Sequence, residues 1–408
     1  MSNEPALPRA ADFPREVTTA EDPRLLVFVG NPTQYHSPIF RKLSEVLGGR
    51  MQVMYGDDIG ARPFFNPEVS AVIEWDISVL GGFPYKIFPN RASSNSKGFW
   101  SRNNPGLIGH VMRSPASHVL LHGYDTLSSW YVYFAALVSG KKIVWRGETV
   151  AKPGGGSGWR EWLKRAVLPL YFRGVSTVLW SCLNNRDYLA DHLGRQRHKF
   201  VRFPCAVDND FFRAHRLDDN ARAAARAARG IPADHMVIVT CSRLTARKRT
   251  HLIVDAMAKM SVETVTLLII GDGPERSALE ARARELGVSL VVTGFVGQVE
   301  VAELLSLSDV FVLLSVYDAS PKALNEAMNF PLAMIASTGV GTARDLVRPG
   351  VNGHLFETGQ DDALAHWLDD WANDPVVRGA MAAKNDDVLK DYTIEEGVAN
   401  LVTAMGDG

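Results

Sequence analysis

Two short runs in the second half of the chain hold the residues best suited to phosphate and sugar chemistry. In CSRLTARK, Arg243 and Lys248 stand in a loop between a strand and a helix. A guanidinium fork and a compact ammonium charge at the carboxyl end of a parallel strand can grip a diphosphate. With Arg247 and Arg249 beside them, the same residues also fit a solvated basic turn. Further on, YDASPKALNEAMNF sets Asp318 and Glu326 eight positions apart, with Ser320 as a helix cap and Pro321 at the first helical position. The start of that helix offers free N–H groups and a positive dipole end to a phosphate or sugar hydroxyl. Glu326, inside the helix and facing back, could hold a ribose diol. Standing alone, the pair would read as a helix cap and an ordinary helical residue.

The first half offers a looser set. His36, His122, Arg146 and Glu148 each follow a predicted strand, where parallel sheets present their ligands. A lone histidine is more often a satisfied structural residue than a catalytic one. Other patterns carry less. DND at Asp208–Asp210 is a three-residue coincidence read as a turn, and PGGGSG from Pro153 lacks the Lys-Ser/Thr ending of a phosphate loop and reads as a connection over the cleft. The basic, aromatic run from Trp159 could rest on an anionic bilayer or lie half-buried in its own domain.

Positioning these residues takes two sheets. From Arg24, β-rich runs alternate with amphipathic helical ones, the signature of parallel βαβ units. RLLVFVG, MQVMYG, HVLLHG, KIVWRG, TVLWS and KFVRFP are strands of an N-terminal domain over 24–205, preceded by a loose tail over 1–23. An Ala/Arg helix closed by Gly230 and Pro232 leads into a second domain over 206–389, with strands MVIVTC, VTLLII, SLVVTGF, VFVLL and LAMIAS. Its first helices bury Leu252, Ile253, Ala256, Met257 and Met260, then Leu279, Ala283 and Leu286. The segment 390–408 is a closing helix, with Thr393 as N-cap and Glu396 at the capping-box position.

Composition agrees with two globular domains: 408 residues exceed one hydrophobic core, and 46% apolar with 22% charged residues is ordinary. A net charge of -1 gives no reason to expect nucleic acid as a partner. Cys182, Cys205 and Cys241 read as three buried thiols in a reducing cytosol, neither disulfides nor a metal knuckle. The apolar stretch from Trp130 is too short to span a bilayer, which takes about 20 residues, and reads as a core helix.

The order SRL…K, GDGPE, GFV, an acidic residue, seven intervening residues, NEAM and GVNGHLF, covering Met236 to Phe356, resembles the retaining GT-B glycosyltransferases of the family 4 type. The first domain resembles their acceptor half through NPTQYHSPIF, LLHGYDTLSSW and WRGET. The resemblance implies two Rossmann-like doubly wound domains facing a cleft, with the C-terminal helix turning back toward the N-terminal domain. It implies a metal-independent transfer, with no cofactor, from a nucleotide diphosphate sugar, UDP favoured over GDP, to a glycan, lipid-linked or small-molecule acceptor. Arg243 and Lys248 would hold the diphosphate, Glu326 the ribose, and the backbone of Gly294, Phe295 and Val296 the base. Ser320, Pro321, Lys322 and Ala323 would meet the sugar and phosphate. Asp318, Arg243, Lys248 and His122 are the catalytic candidates; His36, Arg146 and Glu148 are acceptor or cleft candidates.

The chain departs from the family at Asp318, commonly Glu, at Pro331 and Ala333, commonly Gly and Pro, and at Asp345, often Glu. A shorter Asp318 would engage a different sugar hydroxyl or a water. The same fold also serves nucleotide-sugar epimerases, glycan phosphorylases and silent binding subunits; the joint presence of Arg243, Lys248 and Glu326 argues against the last. The expected location is the cytoplasm, or the inner face of a membrane as a peripheral protein.

Overall fold

The computed structural model describes residues 20, 22–66, 71–73, 75–93, 96–152, 158–193 and 199–406. The N-terminal tail and the glycine-rich link from Pro153 lie outside them, save for Gly158 and the last residues of the tail.

The short apolar runs form strands because both their faces are covered, as parallel sheets require. β1 (Leu25–Val29), β2 (Met51–Tyr55), β3 (Phe64–Asn66), β4 (Ala71–Ile73), β5 (Tyr85–Ile87), β6 (His118–His122), β7 (Lys142–Arg146), β8 (Val175–Trp180) and β9 (Phe200–Arg202) belong to the first half. Seven of them make a parallel sheet in the order β5-β2-β1-β6-β7-β8-β9, and β3 and β4 pair as a separate antiparallel ribbon. The second half contributes β10 (Met236–Cys241), β11 (Val265–Ile270), β12 (Ser289–Val292), β13 (Val310–Leu313), β14 (Ala333–Ser337) and β15 (Gly353–Phe356). These form a six-stranded parallel sheet in the order β12-β11-β10-β13-β14-β15. In each sheet the order reverses beside the first strand of the domain, the switch point where such folds open a crevice for ligands.

Helices join the two halves. The helix Asp219–Ala228 is capped by Asp218, whose side chain accepts from the Ala221 N–H. Its Arg222 and Arg226 both bond Asp309 at 2.8 Å, which fixes it to the second sheet. The helix Ile394–Met405 packs on the helix Ser37–Val46 and on β9, so the chain end does return to the first domain. Thr393 caps it by accepting from the Glu396 N–H, but the Glu396 carboxylate turns to Arg202 at 2.9 Å and leaves the capping box half made. One apolar cluster runs through both domains, from Val27 and Phe40 through Phe203 and Phe212 to Phe311, Tyr392 and Val398.

Several sequence expectations need correction. Leu286 follows its helix as the C-terminal cap and is exposed instead of buried. The apolar stretch from Trp130 lies in the helix Leu127–Val138, which buries Val132, Tyr133 and Ala136 but exposes Phe134 and Val138. DND opens a helix, Asn209–Ala214, with Asp208 accepting from the Phe211 N–H. All three cysteines are free thiols, and Cys241 is only half-buried. No helix among the described residues is long and apolar enough to cross a membrane.

Candidate functional site

Between the two sheets lies a cavity of about 430 Å³, lined from the second domain by Arg243, Lys248, Phe295, Val296, Asp318 and Glu326 among others. The first domain closes it with Gln34, Tyr35, Trp75 and Asp76. Arg243 and Lys248 reach it because β10 ends at Cys241 and the chain turns through a short 3-10 helix, Ala246–Lys248. Gly271 makes that turn possible: at φ 137° a Cβ there would come within 2.1 Å of the Ser242 carbonyl oxygen, so only glycine lets the two loops close. Gly294, at φ 79°, bridges to Gly271 and carries Phe295 and Val296 to the rim.

The acidic pair divides within this cavity. Asp318 is ion-paired with the buried Lys248 ammonium and caps no helix. The following helix is Lys322–Ala327, with Pro321 at its N-cap and no side-chain capping bond, so Ser320 is not the cap the sequence suggested. Glu326 is 3% exposed. Tyr35 of the first domain lies beside its carboxylate, and Oε1 of Glu326 has no hydrogen-bond partner among the described residues. Burial pushes its pKa up to about 7, against smaller opposing effects of Tyr35 and Lys322. A carboxyl so poised, with an unsatisfied oxygen on a residue that lines the cleft, is a ready acceptor for a ligand hydroxyl.

Behind the cavity the first-domain candidates gather around Lys322. Its Nζ lies 3.5 Å from Oε1 of Glu148, contacts the Cys205 sulfur and sits 5.9 Å over the Tyr35 ring. Glu148 also accepts from Arg146 at 3.2 Å, with the Ser320 hydroxyl beside it. Burial by itself would raise the Glu148 carboxyl, but Lys322, Arg146 and His36 outweigh it and hold it well below the usual range. Arg146 is buried at the end of β7 against the Phe203 ring, 4.6 Å from its centre. His36 and His122 meet edge-on at 5.1 Å. Burial first, then the nearby Arg146, lowers His36 to about 3; burial, then His36, holds His122 well below its ordinary value. Both rings are therefore neutral, and His36 Nδ1 and His122 Nε2 are buried without hydrogen-bond partners among the described residues.

The structure thus brings the predicted residues into two adjoining groups: one lining the cavity, and one spanning the interdomain boundary at Glu148, Lys322 and Ser320. Asp345 stands apart and accepts the Leu183 N–H of the first domain at 3.0 Å. Sequence reasoning missed Gln34, Tyr35, Trp75, Asp76 and Cys205. Tyr35 lay within NPTQYHSPIF, but its approach to Glu326 spans the two domains and leaves no local signal. Among the described residues no group of His, Cys, Asp and Glu is arranged to hold a metal ion.

Residues 221–388 match the family model of the group 1 glycosyl transferases. The chain is 28% identical over 180 residues to the lipopolysaccharide core biosynthesis glycosyltransferase LpsE of Rhizobium meliloti, covering 44% of this chain and 52% of that protein. It is 32% identical over 180 residues to the N-acetyl-alpha-D-glucosaminyl L-malate synthase of Bacillus anthracis, covering 44% and 47%. It spans about half the length of the curated relatives it matches. Among solved structures, Anabaena Alr3699/HepE in complex with UDP aligns with a TM-score of 0.71 at 16% identity, over 93% of this chain and 100% of that one. WaaG, a glycosyltransferase involved in lipopolysaccharide biosynthesis, aligns at 0.64 and 14% identity, over 94% and 100%.

Proposed function

We propose that this chain, a GT-B protein whose second domain matches the family model of the group 1 glycosyl transferases, moves a hexose-type sugar from a nucleoside diphosphate to a glycan, lipid-linked or small-molecule acceptor. The observation that carries the reading is the cavity that unites Arg243, Lys248, Phe295, Asp318 and Glu326, with the first domain closing over it. Arg243 and Lys248 meet the diphosphate, and Glu326 accepts from the ribose hydroxyls. Phe295 and Val296 flank the base, and Asp318 with the Ser320–Ala323 segment faces the sugar. UDP is favoured as the nucleotide, in keeping with the UDP complex of the Anabaena neighbour.

In the transfer, the bond from the anomeric carbon to the diphosphate oxygen breaks and a bond to the acceptor oxygen forms. Negative charge grows on the leaving diphosphate, and Arg243, Lys248 and Lys322 stabilise it without a metal ion, the largest effect such a site supplies. No side chain is placed as a nucleophile in this reading; the departing phosphate takes the acceptor proton on its own face, and configuration is retained. Neutral His122 and His36 are hydrogen-bond partners for acceptor hydroxyls, not charged acids. Closure of the domains excludes water, which would otherwise compete as acceptor.

A thermal-shift screen of nucleotide sugars tests the assignment. A ligand that binds only the folded chain raises its melting temperature by mass action. A UDP-hexose should give the largest rise, and nucleotide release should follow once a suitable acceptor is added. Release of the nucleotide from the sugar at full rate without any acceptor would instead indicate an epimerase or hydrolase.

A further inference from the structure

The side of the first sheet that carries the Leu107, Val132 and Phe172 core is covered by three neighbouring helices, Gly106–Arg113, Leu127–Val138 and Gly158–Arg173. Tyr133 and Tyr171 stack at 4.2 Å across the second and third, and the first packs along the second. Their inner faces are ordinary core. Their outer faces are not ordinary surface: Trp100 on the preceding turn is 63% exposed, Met112 47%, Phe134 54%, Val138 75%, Trp162 70% and Leu170 59%. Large apolar side chains in such number on adjacent elements mark a surface that meets something other than water.

Charge identifies the partner. Lys97, Arg113, Lys164, Arg165 and Arg173 are exposed on these same segments. Over residues 97–113, 127–142 and 158–173 the sequence contains a single acidic residue, Glu161. On the helix Gly158–Arg173, Trp162, Leu170 and Arg173 fall on the side opposite Leu168, Tyr171 and Phe172, which enter the core. Indole rings that sit at headgroup depth, aliphatic chains that reach the acyl boundary, and cations that meet anionic headgroups form the recognition pattern of an interfacial protein. A protein partner recognised through this face would need acidic and apolar groups interleaved at matching positions, whereas a fluid anionic bilayer supplies both everywhere.

We propose that this three-helix face of the first domain docks on an anionic lipid bilayer. The docking is a property of the surface and does not depend on the transfer reaction, so the two can be tested apart on one sample. The full chain is sedimented with phosphatidylcholine vesicles and with mixed phosphatidylcholine–phosphatidylglycerol vesicles. It should pellet with the mixed vesicles alone and be released as salt screens the cations. The double variant Trp100→Ser, Trp162→Ser should bind at least about tenfold more weakly, since both indoles are removed from the interface. The thermal shift given by UDP, measured on the same variant, should match the parent and so report an intact fold. No pelleting with mixed vesicles, equal pelleting by the double variant, or a parent dimer that the variant turns into a monomer would each overturn the proposal.

Discussion

At the scale of single residues, Glu326 is where function and stability oppose each other. Its carboxyl is held up to about 7 by burial, against an ordinary value of 4.5. A folded pKa above the unfolded one means that the empty fold favours the protonated form. That stabilisation is full below the ordinary value and is lost as pH rises through about 7. Glu326→Gln should therefore raise the stability of the empty protein at pH 8, by at most on the order of 3 kcal/mol. In the proposed reading ribose binding has the opposite sign, because only the carboxylate would accept from both hydroxyls. Nucleotide affinity of the parent should fall as pH drops below about 7, and the Gln variant should bind weakly at every pH. Melting curves and calorimetry across this range check both; a variant less stable at pH 8, or nucleotide affinity insensitive to pH, would remove the ribose role.

Asp318 behaves differently because it is already engaged, with Lys248. A diphosphate must share that ammonium or take it over. Asp318→Asn should thus leave affinity for bare nucleotide undiminished while lowering turnover, since in the proposed reaction the carboxylate it removes acts on the sugar as the sugar departs. Equal reductions of nucleotide affinity in the Asp318 and Glu326 variants would end the division of labour. The two cations and two carboxylates were legible in the sequence from spacing and resemblance. The Lys248–Asp318 pair was not, since nothing in either run announces that a loop after β10 and a loop after β13 meet.

At the scale of elements, the strands buried on both faces were legible because a continuous Val, Ile and Leu run between turns has few other uses. β5, the ribbon of β3 and β4, and β15 inside the GVNGHLF run were missed; each strand is three or four residues long, too short to show a period. The loops that shape the cavity depend on glycine. Gly271→Ala places a methyl group against the Ser242 carbonyl at a φ that L-residues avoid. The loop must then move, at a cost on the order of 1–3 kcal/mol, and it carries the Arg243 turn with it. The variant should stay folded yet lose nucleotide affinity; unchanged affinity would mean that the two loops do not act together. The helix start at Pro321 was misread by one residue, since Ser320 turns its hydroxyl to Cys205 across the domain boundary.

At the scale of the whole molecule, the domains touch through charged and polar groups as well as the shared core. Glu148 reaches Lys322, Asp76 accepts the Val299 N–H at 2.9 Å, and Asp345 accepts the Leu183 N–H. Such contacts lie between residues more than 160 positions apart, so their partners had no signature in the sequence, although His36, His122, Arg146 and Glu148 did as members of strand-end loops. In the proposed reaction the cavity holds the nucleotide against the second domain while the first closes over it, with Arg243 and Lys248 supplying the charge. Isothermal titration of UDP in the presence of EDTA, into the parent and into Arg243→Ala and Lys248→Ala, tests this most directly. The account predicts one site per chain in the parent without added metal, and binding weakened by about 2–4 kcal/mol in each variant, the scale of removing a charge-assisted donor from a partly dry site. Parent protein that takes up no UDP until a divalent ion is restored, or variants that bind it as tightly as the parent, would contradict it.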